Sequence, residues 1–217
     1  IFFLDEFSKK NLIKFIKNNK IKVIIHAAAV TNLEFAEKNK LLTYNSNFRL
    51  TKTISDISKN LNLKLVFIST DQLYNSYKGY SRENQKISIL NYYSHTKYLA
   101  ENYIKKNNKN FWILRCSFFG LSSSNKMTLS EFIIQNISKK KNINLWDNVF
   151  FNPLYVSELI DISKKITNYE IGIYNLGTKN KISKYEFGLL LAKKFKLNPK
   201  YIKKINYEDK LVTRPKN

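Results

Sequence analysis

A tyrosine and a lysine four positions apart are the residues of this chain best suited to proton transfer. Tyr93 and Lys97 lie in the segment YSHTK, which is predicted to begin a helix. A separation of four places both side chains on one helical face. A nearby ammonium favours the phenolate, so the tyrosine can exchange a proton near neutral pH. Because the chain has 14 tyrosines and 38 basic residues, the spacing also arises by chance, and a surface pair is the alternative.

Two other groups of small or polar residues stand where predicted strands end. Residues 63–69 (LKLVFIS) predict a buried strand, which Thr70 and Asp71 follow. A hydroxyl in that place can bond a substrate carbonyl, although such residues also cap turns. Residues 21–29 (IKVIIHAAA) predict a strand that ends in three alanines. Small residues there allow a flat cofactor to approach the backbone, or simply allow a helix to pack closely.

The elements that must position these residues alternate along the chain. Strands are also predicted over 111–116, 142–146 and 171–176, an extended stretch near 200–206, and helices over 9–19, 40–60, 93–107, 127–140, 154–168 and 183–196. Such alternation is typical of βαβ units and predicts an α/β fold with a mostly parallel sheet. Ligands of these sheets lie beyond the carboxyl ends of the strands. Residues 120–126 (GLSSSNK) are predicted to be a loop at a lobe boundary.

Composition narrows the class of protein. The net charge is +22, but only four of the 38 basic residues are arginine. Because the lysines are spread over the chain, no specific nucleic-acid surface is predicted. One cysteine allows no intrachain disulfide, and with two histidines no metal site is predicted. No apolar run approaches the roughly 20 residues that cross a bilayer, and a cytoplasmic protein is predicted.

Several motifs occur together in the order and spacing of extended short-chain dehydrogenases. They are HAAAVTNLEFAE (26–37), Asn47, ISTD (68–71), NYYSHTK (91–97), ILRCSFFG (113–120), NPLYV (152–156) and TRPKN (213–217). The chain resembles this superfamily over nearly its whole length, and within it most the dTDP-4-dehydrorhamnose reductases. An ordered set of this kind is far more specific than any single motif.

The resemblance implies a Rossmann-like, doubly wound parallel sheet with a small C-terminal substrate lobe. Residues 1–120 would form an incomplete NAD(P)-binding domain and 121–217 the lobe, with about 153–178 returning to the sheet. The five glycines do not form the glycine-rich run that seats a pyrophosphate, and 1–5 resembles the third strand of the family fold. The first βαβ unit is therefore expected to be missing, and this chain alone is expected to be inactive.

The resemblance also implies an activity: reduction, with NADPH or NADH, of the 4-keto group of a nucleotide-linked deoxysugar in cell-surface polysaccharide synthesis. Tyr93 would donate the proton, Lys97 would bind the nicotinamide ribose and lower the pKa of Tyr93, and Thr70 would bond the reacting oxygen. The residues expected at the cofactor are Asp5, Ala27, Ala28, Ala29, Asn47, Ser69, Tyr93, Lys97 and Cys116. Those expected at the substrate are Thr31, Thr70, Asp71, Ser117, Phe118, Asn152 and Arg214.

Three alternatives remain beside reduction. Another activity of the same superfamily, such as epimerisation, is compatible with the motifs, whereas dehydration is disfavoured because Gln72 stands where dehydratases have glutamate. A non-catalytic, cofactor-binding regulatory subunit uses the same fold. The high positive charge suggests nucleic-acid binding as the third alternative. That alternative requires that the protein stay bound to DNA at physiological salt. A homodimer is one further expectation from the resemblance.

Overall fold

The computed structural model describes residues 8–75, 80–122, 127–208 and 212–214. The α-helices within them are α1 (Lys9–Asn18), α2 (Leu33–Lys38), α3 (Lys40–Tyr44), α4 (Leu50–Asn60), α5 (Tyr92–Asn107), α6 (Leu129–Ser138), α7 (Val156–Lys165) and α8 (Lys184–Lys194). The strands are β1 (Val23–His26), β2 (Lys64–Thr70), β3 (Phe111–Phe119), β4 (Ile143–Trp146), β5 (Phe150–Phe151), β6 (Pro153–Tyr155), β7 (Gly172–Leu176), β8 (Ile182–Ser183) and β9 (Ile202–Ile205). Short 3-10 turns occupy Ile166–Asn168 and Pro199–Tyr201.

A parallel sheet forms the centre of the molecule. Its order is β1–β2–β3, and β3 pairs along its length first with β7 and then with β6. His26 lies opposite Phe67, and Thr70 lies opposite Cys116. The carboxyl ends of β1, β2 and β3 therefore meet at one edge of the sheet, where the candidate residues were predicted to lie.

Helices cover both faces of this sheet. Successive side chains of a strand point to opposite sides, and β2 carries apolar side chains on both, so each face needs a covering layer. On β2, Leu65 and Phe67 pack in a cluster with residues of α4 and α5. Val66 and Ile68 pack on the other face in a cluster that includes Leu159 of α7. The α/β, doubly wound fold is confirmed.

The C-terminal part of the chain has a separate hydrophobic cluster. Strand β4 pairs with β9 in parallel and β5 pairs with β8 antiparallel, and α6 and α8 pack on these strands. Buried members include Ile133, Leu145, Phe151, Phe187 and Ile202. The division of the chain at residue 120 stays a prediction, and β6 and β7 are the elements that pair with β3 from within 153–178.

Some elements differ from the predicted ones. The helix predicted over 40–60 contains a π-helical turn at Asn45–Arg49. Helix α2 was not predicted; it begins where the Asn32 side chain accepts a hydrogen bond from the Phe35 amide at 2.8 Å. Strand β3 runs past residue 116 because 117–119 pair with β6. Residues 1–7, 123–126 and 215–217, which carried parts of the predictions, including Asp5, lie outside the described residues. Within the described part, no helix is long and apolar enough to cross a membrane.

Candidate active site

Tyr93 and Lys97 occupy the first turns of α5, on the face that packs against the sheet. The helix begins at a capping box in which the Asn91 side chain accepts the Ser94 amide at 2.9 Å. Tyr93 is 7% exposed and Lys97 is 2% exposed. The spacing of four thus places both side chains inward, and the surface-pair alternative is wrong.

Lys97 is buried against β2. Its Nζ donates to the Ile68 carbonyl oxygen at 2.7 Å and lies 4.0 Å from the centroid of the Phe67 ring. Burial lowers the pKa of Lys97 to about 7, against the opposing charges of Glu101 and Cys116. A lysine with such a pKa can gain or lose a proton near neutral pH.

Thr70 and Tyr93 meet at the carboxyl end of β2. Thr70 is buried, and its side chain forms a hydrogen-bonding contact with the Tyr93 phenol. Burial raises the pKa of Tyr93, and the charges of Asp71 and Cys116 act in the same direction. The expectation that Lys97 holds this pKa down is wrong for this structure, because the loss of hydration outweighs the other influences. The phenol is therefore protonated at neutral pH, which is the form that a proton donor needs.

Asp71 extends the site toward α8, a partner that the sequence did not indicate. It is half-buried, and burial raises its pKa although the charge of Lys184 acts against this. Burial likewise lowers the pKa of Lys184 to about 7, with Asp71 opposing. The Nζ of Lys184 lies 3.0 Å from the centroid of the Phe151 ring. Lys184 comes from the helix after β8, far along the chain, so only the tertiary structure brings it to Asp71.

The end of β1 offers a surface on which a flat group could rest. Ala27 and Ala28 are exposed and Ala29 is half-buried. The side chain of Asn47, in the π-helical turn, accepts from the Val30 amide at 2.7 Å and donates to the Val30 carbonyl at 3.0 Å. It thereby fixes the turn that follows the alanines, and π turns often occur at functional sites.

Asn47 also belongs to a buried polar network around His26. This network was not predicted from the sequence. Its Nδ2 contacts the Thr96 hydroxyl at 3.1 Å. Thr51 donates to the Asn47 carbonyl at 2.7 Å, so its hydroxyl accepts from His26 Nε2, 2.8 Å away. Burial, with a contribution from Lys97, lowers the pKa of His26 to about 3. His26 is therefore a neutral hydrogen-bond donor to Thr51, which in turn bonds the Asn47 carbonyl.

The Ser69 side chain is bonded to a buried ion pair between Arg115 and Glu101. Arg115 donates from Nε and Nη2 to the two carboxylate oxygens of Glu101, the shortest distance being 2.6 Å. The Ser69 hydroxyl donates to the same carboxylate at 2.6 Å. Ser69 was predicted at the cofactor, but its side chain is committed to this pair. Cys116 is buried, and burial raises its thiol pKa to about 12, so it is an inert neighbour of the site.

A cleft of about 560 Å³ opens beside Asp71. Arg115, Asn152, Asn175 and residues 177–181 contribute to its walls. The cleft brings together Asp71 and Asn152, two of the residues predicted at the substrate. Thr70, Tyr93 and Lys97 are not among its lining residues, so the cleft meets the candidate site only at Asp71.

The remaining predicted substrate residues are spread more widely. Thr31 is exposed after β1, and Ser117 is half-buried on β3. Phe118 is 49% exposed. Arg214 does not line the cleft; it forms an ion pair with Glu34 of α2. Within the described residues, no group of three or more histidine, cysteine or acidic side chains is placed to hold a metal.

Comparison with known proteins identifies the family. The sequence model of the RmlD substrate-binding domain matches residues 4–217. The chain belongs to this family. The resemblance to sugar-nucleotide reductases among the short-chain dehydrogenases is thereby confirmed.

The curated relatives of this chain have names that indicate different roles. The chain is 28% identical over 200 residues to dTDP-4-dehydrorhamnose reductase of Aggregatibacter actinomycetemcomitans, covering 87% of this chain and 66% of that protein. It is 25% identical over 203 residues to methionine adenosyltransferase 2 subunit beta of Xenopus tropicalis, covering 89% and 60%. The chain thus spans about three fifths of the length of this first relative.

The RmlD fold is also seen in solved structures. The structure of dTDP-4-dehydrorhamnose reductase from Bacillus anthracis, in complex with NADP, superposes with a TM-score of 0.86 at 24% identity, covering 96% of this chain and 75% of that one. At this identity the likeness establishes the fold, and the activity has to be argued from the site.

Proposed function

We propose that the protein containing this chain reduces the 4-keto group of a nucleotide-linked deoxysugar with NADPH or NADH. Membership of the RmlD family and the arrangement of Thr70, Tyr93 and Lys97 support this proposal. The observation that carries it is the buried, protonated Tyr93 phenol, in contact with the Thr70 hydroxyl, four residues before a lysine of pKa about 7. A protonated phenol beside a hydroxyl suits a carbonyl oxygen that gains a proton.

Each residue has a role in this proposal. Tyr93 donates its proton to the C4 oxygen of the sugar as that oxygen gains negative charge. Thr70 hydrogen-bonds the same oxygen and orients it. Lys97, whose pKa lies near neutrality, supplies the charge and the proton exchange that the Tyr93 phenolate needs after transfer. Asp71, at the wall of the cleft, bonds hydroxyl groups of the sugar.

The described residues fit the nicotinamide end of the cofactor. When bound, the cofactor supplies a hydride to the sugar C4. The exposed Ala27 and Ala28 give a flat surface at the sheet edge, and Asn47 fixes the turn beside it. Lys97 would bond the ribose. Residues 121–217 would supply the rest of the cleft as the substrate lobe.

The first test is turnover by the full-length protein. We expect NADPH oxidation in the presence of a dTDP-linked 4-keto-6-deoxysugar, followed by its absorbance. Tyr93→Phe should lower kcat by roughly 10²–10⁴-fold, the usual contribution of general acid catalysis, and leave cofactor affinity nearly unchanged. Tyr92→Phe, a change of the adjacent tyrosine, is the matched control. Undiminished turnover in Tyr93→Phe would show that another group donates the proton.

A regulatory role is a second candidate, because one relative of this chain is named a subunit of methionine adenosyltransferase. A folded protein that binds NADPH, yet fails to oxidise it with any 4-keto sugar nucleotide, would favour that role. Epimerisation is separated by product analysis. Reduction consumes one NADPH for each sugar converted, whereas epimerisation changes the sugar without net consumption of cofactor.

A further inference from the structure

A short C-terminal segment packs beside Tyr93. Val212 is 2% exposed and packs in one cluster with Tyr93 and with Leu33 and Ala36 of α2. The segment 212–214, here called the strap, therefore helps to bury the Tyr93 ring. It contributes to the low hydration of the phenol that the site requires.

Two neutral hydrogen bonds hold the strap from different sides. The Tyr207 hydroxyl donates to the Val212 carbonyl at 2.7 Å. The Asn91 Nδ2 donates to the Thr213 carbonyl at 3.1 Å. Asn91 is also the N-cap of α5, whose Oδ1 accepts the Ser94 amide. One side chain thus links the strap to the first turn of the helix that carries Tyr93.

Arg214 ties the strap to α2 and to the rings of Trp146 and Tyr207. It forms an ion pair with Glu34 of α2, and its side chain is only 15% exposed. Its guanidinium carbon lies 4.8 Å from the centroid of the Trp146 ring and 5.0 Å from that of Tyr207. A planar cation that lies near two aromatic rings and pairs with a carboxylate is well held in place.

We propose that the Glu34–Arg214 pair is a positioning device that fastens the strap over Tyr93 and so orients the proton donor. Arg214 acts through Val212 and Asn91, without contact to the substrate. This assigns it a role that differs from the substrate contact predicted from its motif. The proposal rests on the proposed function only for the role of Tyr93.

Opening the strap would admit water to the phenol. The pKa of Tyr93, which burial raises, should then fall toward its ordinary value. The charged and titratable groups on the elements packed around Tyr93 include Glu34, Glu37 and Lys38 of α2. Others are Asp71 after β2, Cys116 of β3, Arg214 of the strap, and His95, Lys97 and Glu101 of α5 itself. Of these, the Arg214→Ala change removes only the cation of the strap.

A titration that needs no turnover tests the proposal. In the full-length protein labelled with 13Cζ-tyrosine, the Tyr93 resonance is assigned by its loss in Tyr93→Phe. Within the alkaline range in which the protein stays folded, we expect its shift toward the phenolate position to begin at lower pH in Arg214→Ala, Glu34→Ala and Val212→Ala than in the wild type. Lys204→Ala, which breaks the exposed Lys204–Asp147 ion pair at 2.6 Å, is the control and should leave it unchanged. An unaltered Tyr93 titration in all three strap variants overturns the proposal.

Kinetics give the second readout. We expect kcat to fall by roughly 10- to 100-fold in Arg214→Ala, since misplacing a reacting group by about 1 Å costs about 100-fold. The double variant Glu34→Ala/Arg214→Ala should be no slower than the slower single variant, and Arg214→Lys should be intermediate. A rise in KM for the sugar nucleotide, with kcat and the Tyr93 titration unchanged, would show direct substrate contact and overturn the positioning role. A wild-type protein without reductase activity would contradict the proposed function but leave the titration result interpretable.

Discussion

Two cations lie buried where α5 packs against the sheet, and their surroundings differ. Arg115 and Lys97 are both 2% exposed. Arg115 reaches both oxygens of Glu101 and also donates to the Tyr74 hydroxyl at 2.5 Å. Lys97 donates to a single backbone carbonyl, and no carboxylate lies within ion-pairing distance of it among the described residues.

The difference determines which cation can change its charge. Burial acts to lower the pKa of Arg115, but the hydrogen bonds and charge of Glu101 outweigh it and raise that pKa. For Lys97, burial prevails and the pKa falls to about 7. The Arg115–Glu101 ion pair, here called the matched pair, is therefore a fixed structural element. Lys97, the unmatched cation, can exchange protons, as a functional group must.

The largest effect on stability is expected from breaking the matched pair. Arg115→Met should lower the free energy of unfolding by about 3–5 kcal/mol, because Glu101 is left buried without a counter-charge. Urea denaturation measures this change. Arg115→Met/Glu101→Met should recover much of the loss. If the double variant is as unstable as the single one, the hydrogen bonds of Ser69 and Tyr74, and not the charge, hold this region together.

Removing the unmatched cation should have the opposite effect on stability. Lys97→Met should unfold at higher urea concentration than the wild type at pH 7, although turnover is lost. The unfolded lysine has a pKa of 10.5 and the folded one about 7, so between these values the unfolded state binds more protons. Wild-type stability should therefore rise with pH in this window by at most about 1.4 kcal/mol per pH unit.

The measurement is the gap in unfolding free energy between Lys97→Met and the wild type at pH 7 and at pH 9. The gap should narrow as the pH rises. Lys184, whose pKa is also about 7, is present in both proteins and cancels in the difference. A constant gap would mean that Lys97 keeps its ordinary pKa in the fold.

The parts of the site that follow from regular geometry could be predicted from the sequence. The spacing of Tyr93 and Lys97 places them on one helical face, and Thr70 follows a buried strand, so the sheet edge brings them together. The fold class could be predicted for the same reason, since alternating strands and helices leave few arrangements.

Contacts between remote parts of the chain could not be predicted in this way. Arg214 and Glu34 are 180 positions apart, and no periodicity connects them. Lys184 reaches Asp71 only because β5 and β8 place the start of α8 there. The direction of the Tyr93 pKa was also wrongly expected, because a sequence shows which charges are near in the chain but not how completely a phenol is buried.

His26 is a third buried titratable group near the carboxyl ends of the strands, and unlike Arg115 and Lys97 it is neutral. His26 is 3% exposed, and its Nε2 bonds the Thr51 hydroxyl at 2.8 Å. Its pKa is about 3 in the fold against 6.5 when unfolded, so between these values the unfolded state binds the extra proton. Wild-type stability should therefore fall by at most about 1.4 kcal/mol for each unit that the pH drops below 6.5.

His26→Gln keeps a donor for Thr51 but cannot titrate, so it should lose less stability than the wild type between pH 6.5 and pH 5. Chemical denaturation at the two values measures the effect. The window lies below that of Lys97, so the two contributions can be separated. Equal losses in both proteins would show that His26 becomes protonated within the fold, in which case Asn47 is held by a charged network and not by the neutral imidazole.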